Sequence, residues 1–98
     1  MTLQELKDKT KPGTNFVVIT ASWCGLCKIF LPSFDKHAEE YKNKATFLKV
    51  DAETSPEIVA KYKVDKLPVL LVICDGEDTI LTGHDVNGRT IRKLLGVS

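Results

Sequence analysis

The sequence predicts an α/β fold: a mixed four-stranded sheet, made of two parallel strands and a C-terminal hairpin, with helices on both faces. Three observations lead there. Two short apolar, β-rich runs, residues 16–21 and 44–51, flank a long stretch of helical periodicity, which is the pattern of a strand–helix–strand crossover. The run at 16–21 is almost continuously apolar, as expected of a central strand covered on both sides. Asp75-Gly76 then separates two further strand-like runs and supplies the two-residue turn of a tight hairpin.

The elements follow in order. Thr2-Leu3-Gln4-Glu5 fits a capping box, and Leu3 and Leu6 give a short first helix one apolar edge before Pro12-Gly13 ends it. After the strand at 16–21, residues 24–43 read as a helix. Cys27, Phe30, Leu31, Phe34, Ala38 and Tyr41 recur at i, i+3, i+4 spacing on one stripe, with His37 at its edge. Cys27 lies on the stripe and is expected to be buried; Cys24 precedes the helix proper and is expected to be exposed. Pro32 falls inside this helix and should kink it. Beyond the second strand, Thr54-Ser55-Pro56-Glu57 is a helix start with proline in the first turn, and that helix runs to about Tyr62. Strands at 69–74 and 78–82 form the hairpin. Asn87 caps a last helix carrying Ile91, Leu94 and Leu95.

Ninety-eight residues leave room for one domain, spanning 1–98. Fourteen Lys+Arg against 13 Asp+Glu give a net charge of +1, which offers no electrostatic case for nucleic acid or an anionic membrane as the main partner. The longest apolar run, Leu67 to Cys74, contains Pro68 and is too short to span a bilayer. The first residues lack the apolar core of a signal peptide, so a cytoplasmic location is expected. Lys7, Lys9 and Lys11 read as a solvated end.

Trp23-Cys24-Gly25-Leu26-Cys27-Lys28 is the chemically informative segment. Placed between a strand and a helix, the first sulfur meets unpaired backbone N–H groups and the positive end of the helix dipole, both of which favour a thiolate. The second cysteine is one turn away, close enough to close a small ring. That is the arrangement of a two-electron dithiol/disulfide couple. A tetrahedral zinc or iron–sulfur site would need four ligands. Only Cys74, His37 and His84 remain to supplement the pair, and Cys74 is at the far end of its strand, so no metal is expected. Cys74 itself reads as a small core residue.

These features together resemble the thioredoxin family over roughly residues 15–96. The likeness rests on Trp23-Cys24-Gly25-Leu26-Cys27-Lys28, Pro32, Val50-Asp51, Leu67-Pro68, Asp75-Gly76 and Gly83. It implies a cis peptide bond before Pro68, close to the active-site sulfurs. It also implies a protein-disulfide reductase without prosthetic group, in which Cys24 is the nucleophile and Cys27 the resolving thiol. Trp23, Gly25, Leu26, Leu67, Pro68, Gly83 and His84 would form the substrate groove. Implied partners are protein disulfides and an NADPH-dependent reductase, and the chain would act as a monomer. The alternative is a family-like binding or scaffold subunit that does not use its thiols. His84 is either a solvated loop residue or an imidazole able to relay a proton to Cys24.

The chain also departs from the family. Leu26 stands where proline is usual between the cysteines. The family's buried aspartate and its lysine partner align with Val18 and Phe47, and Thr20 replaces an aromatic residue. The strand that opens the family fold is not expected ahead of the first helix. Loss of acid and lysine together is coherent, because replacing both by apolar groups avoids an unpaired buried charge.

Overall fold

The computed structural model describes residues 1–97. Its elements are α1 (Leu3–Lys9), β1 (Thr14–Thr20), α2 (Gly25–Glu40), β2 (Thr46–Asp51), α3 (Pro56–Lys61), β3 (Val69–Cys74), β4 (Glu77–Leu81) and α4 (Gly88–Leu95). Single 3-10 turns lie at Ala52–Thr54 and Gly83–Asp85. The order is the expected one. β1 pairs parallel with β2 and antiparallel with β3, and β3 pairs antiparallel with β4, giving the sheet order β2-β1-β3-β4.

Local chemistry accounts for the boundaries. The Thr2 hydroxyl accepts from Glu5 N and the Glu5 carboxylate accepts from Thr2 N, so the capping box is complete. Asn87 Oδ1 accepts from Thr90 N at 2.9 Å to cap α4. Asp75 and Gly76 both take positive φ (50° and 88°), as a tight hairpin turn requires. α2 ends at Glu40 rather than at 43, because Lys44 and Ala45 turn back to donate to the Tyr41 carbonyl. Pro32 is accommodated within α2, which continues on both sides of it.

Strand alternation sorts the core into two layers. Val17 and Ile19 face one side with Leu6, Val50, Ile58, Tyr62, Val69 and Leu71, beneath α1 and α3. Phe16 and Val18 face the other with Phe30, Phe34, Leu70, Val72 and Ile91, beneath α2 and α4. Each large side chain so buried contributes about 1.5–3 kcal/mol. Tyr62 is buried in the first layer, and its hydroxyl donates to Asp78 Oδ2 at 3.0 Å. Burial first, and then that carboxylate, push its phenol up to about 12.

The second layer explains how Val18 and Phe47 fit. Val18 is fully buried, while Phe47 stacks on Phe16 with centroids 5.2 Å apart and meets Phe34 edge-on at 5.6 Å. On β2 the residue opposite Val18 is Lys49, not Phe47. Its ammonium is drawn outward to Asp35, 2.7 Å away.

Cys74 departs from expectation. It is exposed, not in the core, because it ends β3 at the hairpin, where its sulfur lies 3.8 Å from the Thr14 hydroxyl and 3.9 Å from an Asp75 carboxylate oxygen.

Candidate active site

Cys24 is the N-cap of α2, and Cys27 lies in its first turn. Their Cα atoms are 5.3 Å apart and the sulfurs are joined as a disulfide. The Cys27 backbone N–H also donates to Cys24 Sγ at 3.1 Å. Cys27 is buried as expected (1% exposed), but Cys24 is only 5% exposed, contrary to the sequence expectation. An N-cap side chain folds back over the first helical turn to meet its N–H groups, and here that motion carries the sulfur inward.

The loop before the cysteines is tied down by a residue that the sequence does not single out. Ser22 donates to Glu53 Oε1 twice, from its N–H (3.1 Å) and its hydroxyl (2.8 Å). Glu53 lies in the 3-10 turn after β2, 31 residues away, so no local spacing could reveal the pair.

Leu67-Pro68 is cis and leads directly into β3. A groove of about 480 Å³ brings Leu67, Pro68, Gly83 and His84 together with Leu26. Its apolar wall is extended by Ile29, Phe30 and Val86, and Ser33 and Asn87 add polar atoms; the sequence assigns none of these to the groove. Ile29 is 74% and Leu26 65% exposed, so the wall continues as an apolar rim. The periodicity that marks Cys27 and Phe30 as inward-facing could have flagged Ile29 as an outward-facing apolar residue. Gly83 has a φ of +58°, which favours glycine at that corner. His84 is exposed on the 3-10 turn, its carbonyl accepting from Asn87 Nδ2 at 2.6 Å. Gly25 is outside the groove and open: a β-carbon there would meet nothing within 4 Å. Trp23 is likewise outside the groove, 71% exposed, and lines a separate hollow that shares Leu67 with it.

Among the described residues no group of three or more His, Cys, Asp or Glu side chains could hold a metal ion. No described helix is long and apolar enough to cross a membrane.

The family model for thioredoxin matches residues 3–95. The chain belongs to the thioredoxin family. Its similarity to thioredoxin of Staphylococcus saprophyticus is 40% identity over 70 residues, covering 71% of this chain and 67% of that one. Thioredoxin of Staphylococcus aureus is 37% identical over 73 residues, covering 74% and 70%. Among solved structures, reduced Schistosoma mansoni thioredoxin pre-protein superposes with a TM-score of 0.80 at 28% identity, covering 96% of this chain and 87% of that one. Plasmodium falciparum thioredoxin gives 0.81 at 25% identity, covering 97% and 92%. Family membership and the bonded Cys24–Cys27 pair establish a thiol–disulfide oxidoreductase acting as a protein-disulfide reductase.

Proposed function

We propose that Cys24 is the attacking thiol and Cys27 the resolving one. The observation that carries this assignment is the cap geometry: Cys24 Sγ sits at the N-terminus of α2 and accepts the Cys27 N–H. A charge at that position is favoured by the helix dipole and by the donor, so the reduced protein presents a thiolate there. The Cys24 thiolate attacks one sulfur of a substrate disulfide, forms a mixed disulfide, and expels the other substrate sulfur as a thiolate. Cys27, deprotonated, then attacks Cys24 Sγ; the Cys24–Cys27 bond forms and the remaining substrate thiolate leaves. Two electrons have passed from the dithiol to the substrate.

Trp23, Gly25, Leu26, Leu67, Pro68, Gly83 and His84 receive the substrate chain in this reading, joined by Ile29. What supports it is the clustering of five of them, with Ile29, around one apolar groove. A protein disulfide is the substrate class, and no prosthetic group takes part. An NADPH-dependent reductase returns the electrons, so the chain serves electron transport in the cytoplasm as a monomer.

Thiol trapping tests the reading. A Cys27→Ser variant should accumulate mixed disulfides through Cys24, each released by a reducing agent. A scaffold subunit would instead keep its partner after both cysteines are replaced, and that result would overturn the proposal.

A further inference from the structure

Trp23 shares no surface with the groove that holds Leu26 and His84. It walls a second hollow, of about 230 Å³, together with Val59, Val64, Leu67, Glu53 and Asp65. Leu67 is the one residue that lines both hollows. Their chemistries differ. One is apolar, and the other combines an exposed indole, half-buried valines and two exposed carboxylates.

Neither carboxylate is in an ion pair among the described residues. The ion pairs among the described residues are Lys42–Glu39 and Lys49–Asp35, and neither involves Glu53 or Asp65. Glu53 is also preset in position. Ser22 holds Oε1 with two hydrogen bonds, and among the described residues none engages Oε2. Lys63 and Lys66 flank Asp65 in sequence but are exposed and do not line the hollow. A divalent cation would fit poorly, since it takes six or more oxygen ligands and no cluster of three potential ligands is present among the described residues.

We propose that this hollow receives a lysine or arginine side chain of the substrate polypeptide, carried next to the cysteine whose disulfide is reduced. The inference rests on the proposed function above and narrows its substrate class. A long basic side chain has the parts the hollow matches: an aliphatic stem to lie on Val59 and Val64, and a cationic head for the Trp23 face, Glu53 and Asp65. Trp23 directly precedes Cys24, so one wall of the hollow is the chain neighbour of the attacking cysteine. The preference is local, because a net charge of +1 gives the molecule no overall attraction for cations. Preferred substrates then have a basic residue on one side of the reactive cysteine and an apolar residue, seated against Leu26 and Ile29, on the other.

The test uses the full chain and a set of disulfide-linked peptides identical except for Lys, Gln or Glu beside the cysteine, on each side in turn. On one of the two sides, kcat/KM for the Lys peptide should exceed that for Gln by about fivefold, and Glu should fall below Gln. The advantage should shrink at high salt. It should vanish when Lys is moved several residues away. In a Glu53→Gln/Asp65→Asn double variant the Lys-to-Gln ratio should approach one. Equal reduction of all three peptides overturns the inference while leaving the proposed function intact. So does a Lys advantage that survives at the distant position or in the double variant. Failure to reduce any peptide would remove both.

Discussion

Arg92 on α4 donates from Nη1 to Nε2 of buried His37 on α2, 2.8 Å away. The other ring nitrogen of His37, Nδ1, lies 2.6 Å from the Ser33 carbonyl oxygen. A carbonyl accepts only, so Nδ1 carries the proton and Nε2 is the acceptor for the guanidinium. His37 therefore joins the helix that carries the cysteines to the helix whose start, Asn87-Gly88, borders the groove.

Gly88 should be intolerant of a side chain for this reason. A β-carbon there would lie 2.5 Å from His37 Cε1 and 2.9 Å from Ser33 Oγ. Alanine is the better helix former, yet overpacking should make Gly88→Ala less stable by about 1–3 kcal/mol. In a His37→Ala background the same change should cost much less. Equal costs in the two backgrounds, measured by denaturant unfolding, would show that the ring does not confine Gly88.

Val18→Asp should destabilise the fold by about 2 kcal/mol or more, because the carboxylate would enter the aromatic layer around Phe16 and Phe34. Lys49 is opposite but engaged with Asp35. Adding Asp35→Asn should free Lys49 and recover part of the loss, while Asp35→Asn alone should cost about 1 kcal/mol or less. Thermal unfolding of the three variants decides this.

The absence of a carboxylate at Val18 also bears on the resolving step. Val18 stands where the family resemblance implies a buried aspartate, so Cys27 lacks that proton acceptor and release of mixed disulfides should accelerate as pH rises from about 6 to 9. Fast release with no pH dependence, followed by quenched-flow alkylation, would point to another proton acceptor such as His84.

Tyr62 should make the fold sensitive to alkali. Its phenol ionises at about 12 in the folded chain against an ordinary value of 10.0, so the unfolded chain loses the proton first. Stability from this residue is complete below pH 10 and declines as pH rises towards 12. Tyr62→Phe should lose about 1 kcal/mol at neutral pH with the Asp78 hydrogen bond, and should show a shallower alkaline decline. Parallel decline in the two proteins would contradict the assignment.

Leu26→Ser and Ile29→Ser remove exposed apolar surface from the groove rim, so stability should change by about 0.5 kcal/mol at most. Reduction of a protein disulfide should suffer several-fold more than reduction of a small disulfide, because only the larger substrate reaches the rim. Comparable losses on both would show that the rim does not contact the substrate chain.

The element order, the two-layer core and the pairing of Cys24 with Cys27 were legible in the sequence, because each depends on short-range physics. Period-two and period-3.6 patterns sort residues onto faces, caps mark helix ends, and two intervening residues place two thiols one turn apart. Only the tertiary structure decided what depends on groups far apart in the chain. Ser22 meets Glu53, His37 meets Arg92, and Lys49 turns to Asp35 instead of facing Val18. Cys24 is held at the start of α2 by its bond to buried Cys27 and by the Cys27 N–H, and Cys74 is exposed where β3 ends at the hairpin. The separation of Trp23 from the Leu26–His84 groove belongs with these. Periodicity assigns a residue to a face of its own element, but which hollow a loop residue lines is set by segments far from it in the chain.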